Sequence, residues 1–319
     1  MVTVIIVNWN GGHLLAQCLR DLLRQSVQPA RILVMDNGSS DGSAEQAAQL
    51  PGVTVRLLGQ NFGFAGGNNR AFSECDTEYV ALLNPDAFPE SDWLEKLVAA
   101  AEVHPEMAAL GSRQMMHGTD NVVDGLGDVY HVSGLVWRDG YGCLLRDSDA
   151  LPREIFSSCS GAVLYRRDAL VNVGGFDEDY FCYVEDVDLG FRLRLAGYRT
   201  MYVPDAVVHH VGSATTGGQH SDFSVYHGHR NLVWTFVKNM PGVLFWLLLP
   251  LHVVLNLVSI LWFALRGQGA VILRAKRDAL LGLPKMWRKR QQIQKARVAS
   301  VRDIWRVLDK RLLPMRRKT

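Results

Sequence analysis

Short β-branched runs alternate with helix-length segments through the first 112 residues, and this alternation restricts the fold more than any other feature. Thr3 to Val7, Arg31 to Met35, Val53 to Leu58, Tyr79 to Leu83 and Met107 to Gly111 read as buried strands. Between them, Leu14 to Leu23, a segment from Ala44, one from about Gly66 to Glu74, and Asp92 to Val103 read as helices. The pattern predicts an α/β fold with a mostly parallel sheet and helices on both faces. Ligands of such sheets bind at the carboxyl ends of the strands, where Asn8-Trp9-Asn10, Asp36 and Asp86 all fall.

These places suggest chemistry, each with a plainer alternative. Asp36, with Asn37 in the polar turn after its strand, suits hydrogen bonds from a base or ribose, or else an Asx-turn. The run from Asn61 through Gly63 and Gly67 to Asn68 and Asn69 reads as a loop whose glycines allow close approach to a ligand. It matches neither a Walker A loop nor a GxGxxG fingerprint, which weakens ATPase and dinucleotide readings. Asp86, after Asn84-Pro85, is a carboxylate suited to a hard divalent cation that also takes diphosphate oxygens. Ser160-Gly161 would let a backbone approach a sugar, or forms a simple bulge. His209 and His210, adjacent after a strand, are candidates for metal or phosphate contact. From Met115 to Arg153 the pattern is too weak to assign.

The stretch from Gly174 to Tyr198 carries two acid clusters, Asp177 to Asp179 and then Glu185, Asp186 and Asp188, leading into a helix that ends at Gly197. Carboxylates at a helix N-terminus are held ionised and can accept a proton from a substrate hydroxyl, or else merely cap the helix.

Composition separates the chain into two electrical halves. The net charge of +2 conceals 17 Lys and Arg against 3 acids from Arg266 onward, which leaves 17 against 29 before it. An acidic, metal-using globular part and a tail that seeks polyanions or an anionic membrane fit that split, with no nucleic acid expected as partner. Five scattered cysteines without a CxxC pair fit a reducing compartment, and the chain opens on a strand rather than a secretory signal.

VIIVNWN, VMDNGSSDGS, NFGFAGGNN, LLNPDA, CSGAVLYRRDAL, GGFDEDYFCYVEDVDLGFRLRLAGY and HHVGSAT, in this order, resemble family 2 glycosyltransferases. The likeness is to the rhamnosyltransferase-like branch of bacterial polysaccharide and O-antigen assembly and covers roughly residues 2 to 240. It implies a Rossmann-like GT-A fold, a nucleotide-diphosphate sugar donor, Mg²⁺ or Mn²⁺, and inversion at the anomeric carbon. Residue by residue, it makes Asp36 the nucleoside contact, Asp86 the last acid of a DxD motif, Asp186 the general base with Glu185 and Asp188 in support, and His209, less readily His210, the histidine of the metal site. Asn84 stands where the motif's first acid would be, a departure that weakens the case for metal. Asn8, Trp9, Asn10, Asn37, Asn61, Gly63, Gly67, Asn68, Asn84 and Arg230 join the donor side. Ser160, Gly161, Asp177, Tyr180 and Tyr183 are expected toward the acceptor. For Arg230, which lies with His227, His229 and Asn231 on a helix to Lys238, a solvated face is the alternative. dTDP-rhamnose as donor and a lipid-linked saccharide as acceptor rest on the resemblance alone.

Val243 to Leu265 is 23 residues without a charge, about 35 Å as a helix and long enough to span a bilayer. A single crossing would separate the catalytic part from the basic tail, which both belong on the cytoplasmic side. Pro250 interrupts the run, and His252, Asn256 and Ser259 form a polar stripe, so an interfacial helix or re-entrant hairpin at the cytoplasmic face of a bacterial inner membrane is expected. A helix buried in a homo-oligomer interface is the competing arrangement. Residues 1–240 then form the catalytic domain, with a nucleotide-sugar half (1–112) and an acceptor half (113–240), and 241–319 a membrane-associating tail. A processive synthase lacks support, with no QxxRW sequence and no array of spans. An inactive scaffold is disfavoured by the retained acids, and a nucleotidyltransferase by the absence of a basic glycine-rich loop near the N-terminus.

Overall fold

Val2–Asn8 (β1, VTVIIVN) is buried almost throughout and lies between two parallel neighbours. The structure, a computed structural model, describes residues 1–212 and 221–311. Ser213 to Thr215 of the HHVGSAT segment and the terminal Arg316, Arg317 and Lys318 lie outside the described residues. After β1 come α1 (Gly12–Leu22), β2 (Arg31–Asp36), α2 (Ser43–Ala48), β3 (Val53–Leu57), α3 (Gly63–Phe72), β4 (Tyr79–Leu83), β5 (Ala87–Pro89), α4 (Trp93–Val103) and β6 (Met107–Met116). The segment without a readable pattern supplies the short strands β7 (Val123–Gly125), β8 (Asp128–Tyr130), β9 (Val136–Arg138) and β10 (Arg153–Ile155). β11 (Ala162–Arg166), α5 (Arg167–Val173), α6 (Glu185–Leu195), β12 (Arg199–His210), α7 (Asp222–Asn239), α8 (Gly242–Leu265), α9 (Gly269–Leu281), α10 (Leu283–Ala296) and α11 (Val301–Val307) complete the order.

Among the described residues, ten strands form one mixed sheet along the path β10-β12-β6-β11-β4-β1-β2-β3, with β5 on β12 and β7 on β6. The expected parallel portion is β4-β1-β2-β3. β11 enters antiparallel between β4 and β6, and β6 then pairs in parallel with β12. The register sets Asn8 beside Asp36 at the carboxyl ends of β1 and β2. Strand residues alternate between faces. Val4, Ile6, Val34 and Leu83 therefore pack under α1 and α4, whereas Ile5, Leu33, Val80 and Val163 pack under α3, α5 and α6.

Two local expectations change. α3 begins at Gly63, so Gly63, Gly67 and Asn68 belong to a helix rather than a loop. β11 starts only at Ala162, so Ser160-Gly161 is no bulge within a strand but lies in the irregular approach to it.

α8 runs unbroken past Pro250, which rules out the re-entrant hairpin. Its polar stripe faces inward: His252 Nδ1 donates to Ser133 O (2.8 Å), and Asn256 Oδ1 accepts from Lys276 Nζ on α9 (2.6 Å). Trp246, Leu247, Val254, Leu257, Val258, Leu261 and Trp262 are left exposed on the other side. Leu244, Phe245 and Leu248 of α8, Met286 of α10 and Ile304 of α11 share one buried cluster with Tyr130, Phe156 and Phe191. Each such side chain contributes about 1.5–3 kcal/mol, so apolar burial holds the tail to the rest of the chain. This core crosses the expected boundary at 240.

Candidate active site

At the carboxyl ends of β1 and β2 the polar side chains knit two loops together. Asn8 Nδ2 donates to Asp36 Oδ1 (2.8 Å), Ser39 Oγ (3.1 Å) and Ser43 Oγ (2.9 Å). Asp36 Oδ2 accepts from the backbone N–H of Gly38 and Ser39 at 3.2 and 3.0 Å, the Asx-turn foreseen as an alternative. Asn10 Oδ1 accepts from Ser40 N (2.9 Å), while Trp9 stays exposed at the rim. Asn37 Nδ2 donates to Gly63 O (2.9 Å), Asn61 Oδ1 accepts from Gly63 N (2.8 Å), and Asn68 Nδ2 donates to Phe64 O (2.9 Å).

The glycines of α3 serve packing. A Cβ at Gly63, whose φ is +72°, would lie 2.3 Å from Phe181 O, and one at Gly67 would lie 2.7 Å from Val7 Cγ1. The atoms they admit are the chain's own, the Phe181 backbone at Gly63 and the Val7 side chain at Gly67, which corrects the expectation of close approach to a ligand.

Asn84 and Asp86 follow β4, and β12 ends beside them. Its alternation buries His210 (3% exposed) and turns His209 outward (41%) onto Glu90, with His209 Nε2 at 3.3 Å from Glu90 Oε1. His210, rather than the preferred His209, therefore faces Asp86: Nε2 lies 3.2 Å from Asp86 Oδ1 and 3.5 Å from Asn84 Nδ2. On the other side of the ring, Nδ1 donates to Asp124 Oδ2 at 2.8 Å. Burial opposes protonation of His210, but the bonds to Asp124 and Asp86 push it up to about 9. Among the described residues no three His, Cys, Asp or Glu side chains form a ready cation cage. Asp86 and His210 offer one hard oxygen and one imidazole, a pair that suits a divalent cation whose other ligands come from diphosphate.

The second acid cluster divides by exposure. Glu185 and Asp188 are buried, and of the three Asp186 alone is half-buried. Asp186 Oδ2 accepts from Ser160 N (3.3 Å) and Oδ1 from Val187 N (2.8 Å). Burial raises its pKa against the pull of those N–H groups. Glu185 is raised further, by burial and then by the charge of Asp186, and its Oε2 has no hydrogen-bond partner.

Asp188 belongs elsewhere. Tyr180 OH (3.1 Å), Arg192 Nε (2.8 Å), Asn239 Nδ2 (2.7 Å) and Lys238 Nζ (2.7 Å) surround its carboxylate. It is a structural acid, a correction to its expected catalytic support.

Ser160 and Gly161 join the two ends. Ser160 N holds Asp186, and Gly161 O accepts from Asn84 N (2.9 Å). A Cβ at Gly161 would lie 3.1 Å from Gln114 Oε1, which is itself buried without a partner, as is Ser160 Oγ. Gln114 carried no signal in the sequence; nor did Asp128, which accepts from Ser157 Oγ (2.9 Å) and whose pKa is raised well above the usual range by burial and then by Asp186.

The loop before the acids is clamped rather than open. Phe181, Tyr183 and Val184 have φ of +65°, +64° and +68°, each a strain of order 1–3 kcal/mol. Asn231 Nδ2 donates to the carbonyls of Tyr180, Cys182 and Tyr183 at 3.0, 3.0 and 2.8 Å. Arg230 Nη2 donates to Asp179 O (3.1 Å) and Tyr180 O (2.9 Å), which commits it to this loop instead of donor phosphate. Tyr180 is fully buried, and Tyr183 packs edge-on against Phe223. Asp177 pairs with Lys238 (2.5 Å) and Lys289, and Asp179 with Lys285 (2.6 Å) and Lys289 (2.7 Å). Asp177 and Tyr180 thus dock the C-terminal helices, a correction to their expected acceptor contacts.

Residues 3–174 match the family described as Glycosyl transferase family 2. Over 255 residues the chain is 31% identical to N-acetylglucosaminyl-diphospho-decaprenol L-rhamnosyltransferase of Mycobacterium tuberculosis, covering 71% of this chain and 81% of that protein. It is 23% identical over 268 residues to poly-beta-1,6-N-acetyl-D-glucosamine synthase of Staphylococcus aureus, covering 82% of this chain and 62% of the relative. GalNAc-T7 with UDP, GalNAc and Mn²⁺ superposes with a TM-score of 0.60 at 15% identity, covering 75% of this chain and 48% of the other. The mannosyltransferase PcManGT of Pyrobaculum calidifontis with GDP-Man and Mn²⁺ gives 0.55 at 19% identity, covering 96% and 87%. These two structural likenesses establish the GT-A-like fold.

Proposed function

Because the chain belongs to glycosyltransferase family 2, we propose that it moves L-rhamnose with inversion from dTDP-rhamnose to a hydroxyl of a lipid-linked saccharide, with Asp186 as the base. The observation that carries the base assignment is the half-buried Asp186, held by Ser160 N one residue from the Gly161 carbonyl that bonds Asn84. The choice of sugar and acceptor is supported by the mycobacterial relative, which is named for L-rhamnose transfer to N-acetylglucosaminyl-diphospho-decaprenol.

In the reaction the acceptor oxygen attacks the anomeric carbon and gives its proton to Asp186. The new C–O bond forms as the bond to the diphosphate breaks on the opposite face, and the nucleoside diphosphate leaves with the electron pair. Burial brings the pKa of Asp186 upward toward the working range of a base, and the N–H groups of Ser160 and Val187 keep its oxygens aimed. Asp86 and His210 would hold Mg²⁺ or Mn²⁺, which when bound offsets the negative charge on the diphosphate. Gln114 Oε1 and Ser160 Oγ, buried without partners beside Gly161, are suited to bond sugar hydroxyls.

We place the protein at the cytoplasmic face of a bacterial inner membrane, with the exposed side of α8 in the interface. The apolar row from Trp246 to Trp262 and the 17 Lys and Arg from Arg266 onward support this.

The test is a panel of nucleotide-sugars given to the full chain with Mg²⁺ or Mn²⁺ and a polyprenyl-diphospho-N-acetylglucosamine acceptor. Transfer from dTDP-rhamnose is expected. Turnover of a different donor overturns the choice of sugar, and turnover of none overturns the enzymatic reading.

A further inference from the structure

Asp124 lies on β7, in the segment where the sequence showed no pattern, and it touches neither a substrate-facing surface nor Asp186. It is buried, and one oxygen serves two neighbours: Oδ2 accepts from Arg138 Nη1 at 2.7 Å and from His210 Nδ1 at 2.8 Å. The opposite nitrogen of the same ring, Nε2, is turned to Asp86 Oδ1 at 3.2 Å. An imidazole whose Nδ1–H is held by a carboxylate presents its other nitrogen as the ligand atom, and its ring cannot swing. Asp124 is itself fixed from two directions. β7 pairs with β6 through Met115↔Val123 and Gln114↔Gly125, and Arg138 comes from β9 of the adjoining hairpin. On that hairpin Arg138 stands opposite Asp128, the acid whose charge interacts with Asp186.

We propose that Asp124, held by Arg138, is the positioning residue of the cation centre: it keeps the Nδ1 proton of His210 on the side away from Asp86, so that a divalent cation takes Nε2 in exchange for the proton there. This rests on the reading of Asp86 and His210 as the cation's protein ligands. Asp124 needs no contact with the ion or the substrate for this role, and loss of such an outer partner typically weakens metal binding about 10–100-fold.

The experiment titrates Mn²⁺ alone into the full chain in detergent, reading free ion by electron paramagnetic resonance, with thermal melting to check folding. Asp124→Asn should weaken Mn²⁺ by about 10–100-fold. His210→Ala should weaken it at least as much, and Glu90→Gln, which touches only the outward His209, should leave it unchanged. In turnover, Asp124→Asn should raise the Mn²⁺ concentration for half-maximal rate while saturating Mn²⁺ restores kcat. A general structural lesion would lower kcat at every Mn²⁺ concentration. Should Asp124→Asn fail to fold, Arg138→Lys carries the test, with weaker Mn²⁺ binding expected. Wild-type affinity in the folded variant, beside lost binding in His210→Ala, overturns the role of Asp124 and leaves the cation reading standing. Wild-type affinity in His210→Ala, or no binding by the wild-type chain, overturns the cation reading itself.

Discussion

Two adjacent carboxylates, Glu185 and Asp186, begin the same helix and are treated differently by their surroundings. Asp186 is half-buried with two backbone donors; Glu185 is buried with one oxygen unbonded. Asp186→Asn keeps the shape and removes the proposed proton acceptor, so kcat should fall by about 10²–10⁴ while donor binding, read by calorimetry, stays within a few-fold. Glu185→Gln should act on stability instead. Burial first, and then the charge of Asp186, raise the Glu185 pKa above its unfolded value of about 4.3. The folded chain therefore holds a proton that the unfolded chain releases, and wild-type stability declines as pH climbs from about 4.3 toward the folded value. Urea midpoints should show the Gln variant gaining on the wild type across that range and the gap closing below about pH 4. No gap at pH 7 would contradict the burial argument.

At the scale of elements, the strained approach to α6 is supported from two sides. Gly63 of α3 admits Phe181 O, and Asn231 of α7 bonds three carbonyls of the same loop. Asn231→Ala removes this donor from the Cys182 and Tyr183 carbonyls, while Tyr180 O keeps Arg230, and at about 1–3 kcal/mol for a buried group it should lower Tm and kcat together. Restored kcat at low temperature would show that the loop holds itself. α8 gives a different prediction. Leu257→Glu with Leu261→Glu, both on the exposed side, should leave the melting temperature near wild type and abolish flotation with anionic vesicles. Unchanged flotation would sink the interfacial reading.

The long strands were legible because burial on both faces leaves an unbroken apolar run, as in Val2–Asn8 and Tyr79–Leu83. β7 to β9 are three residues each, too short for any period to register. The choice between His209 and His210 turns on strand parity, and a register shift between Val203 and Val207 resets that parity without a mark in the residues. Asp124 and Gln114 were invisible for a related reason: their meaning comes from cross-strand neighbours rather than from spacing along the chain.

Over the whole molecule, a buried set of charges binds both acid clusters to the C-terminal helices. Lys238 is buried between Asp177 and Asp188, and Lys289 of α10 reaches Asp177 and Asp179. Burial by itself would raise the Asp188 pKa, but Lys238 and Arg192 hold it below the usual carboxylate range. Removing one member of such a set leaves an uncompensated charge in the interior, so Lys238→Met should cost about 3–5 kcal/mol in denaturant unfolding. A loss below 1 kcal/mol would mean that water reaches the pair.

The cluster that joins Tyr130 and Phe156 to Leu244, Phe245, Met286 and Ile304 has a bearing on how such proteins can diverge. A gene crossover near residue 240 would pair an α8–α11 segment with an α6–α7 surface it was never selected to fit. The C-terminal helices and the catalytic scaffold are thereby inherited together, and a lineage can exchange one only by exchanging most of the chain beyond Tyr130.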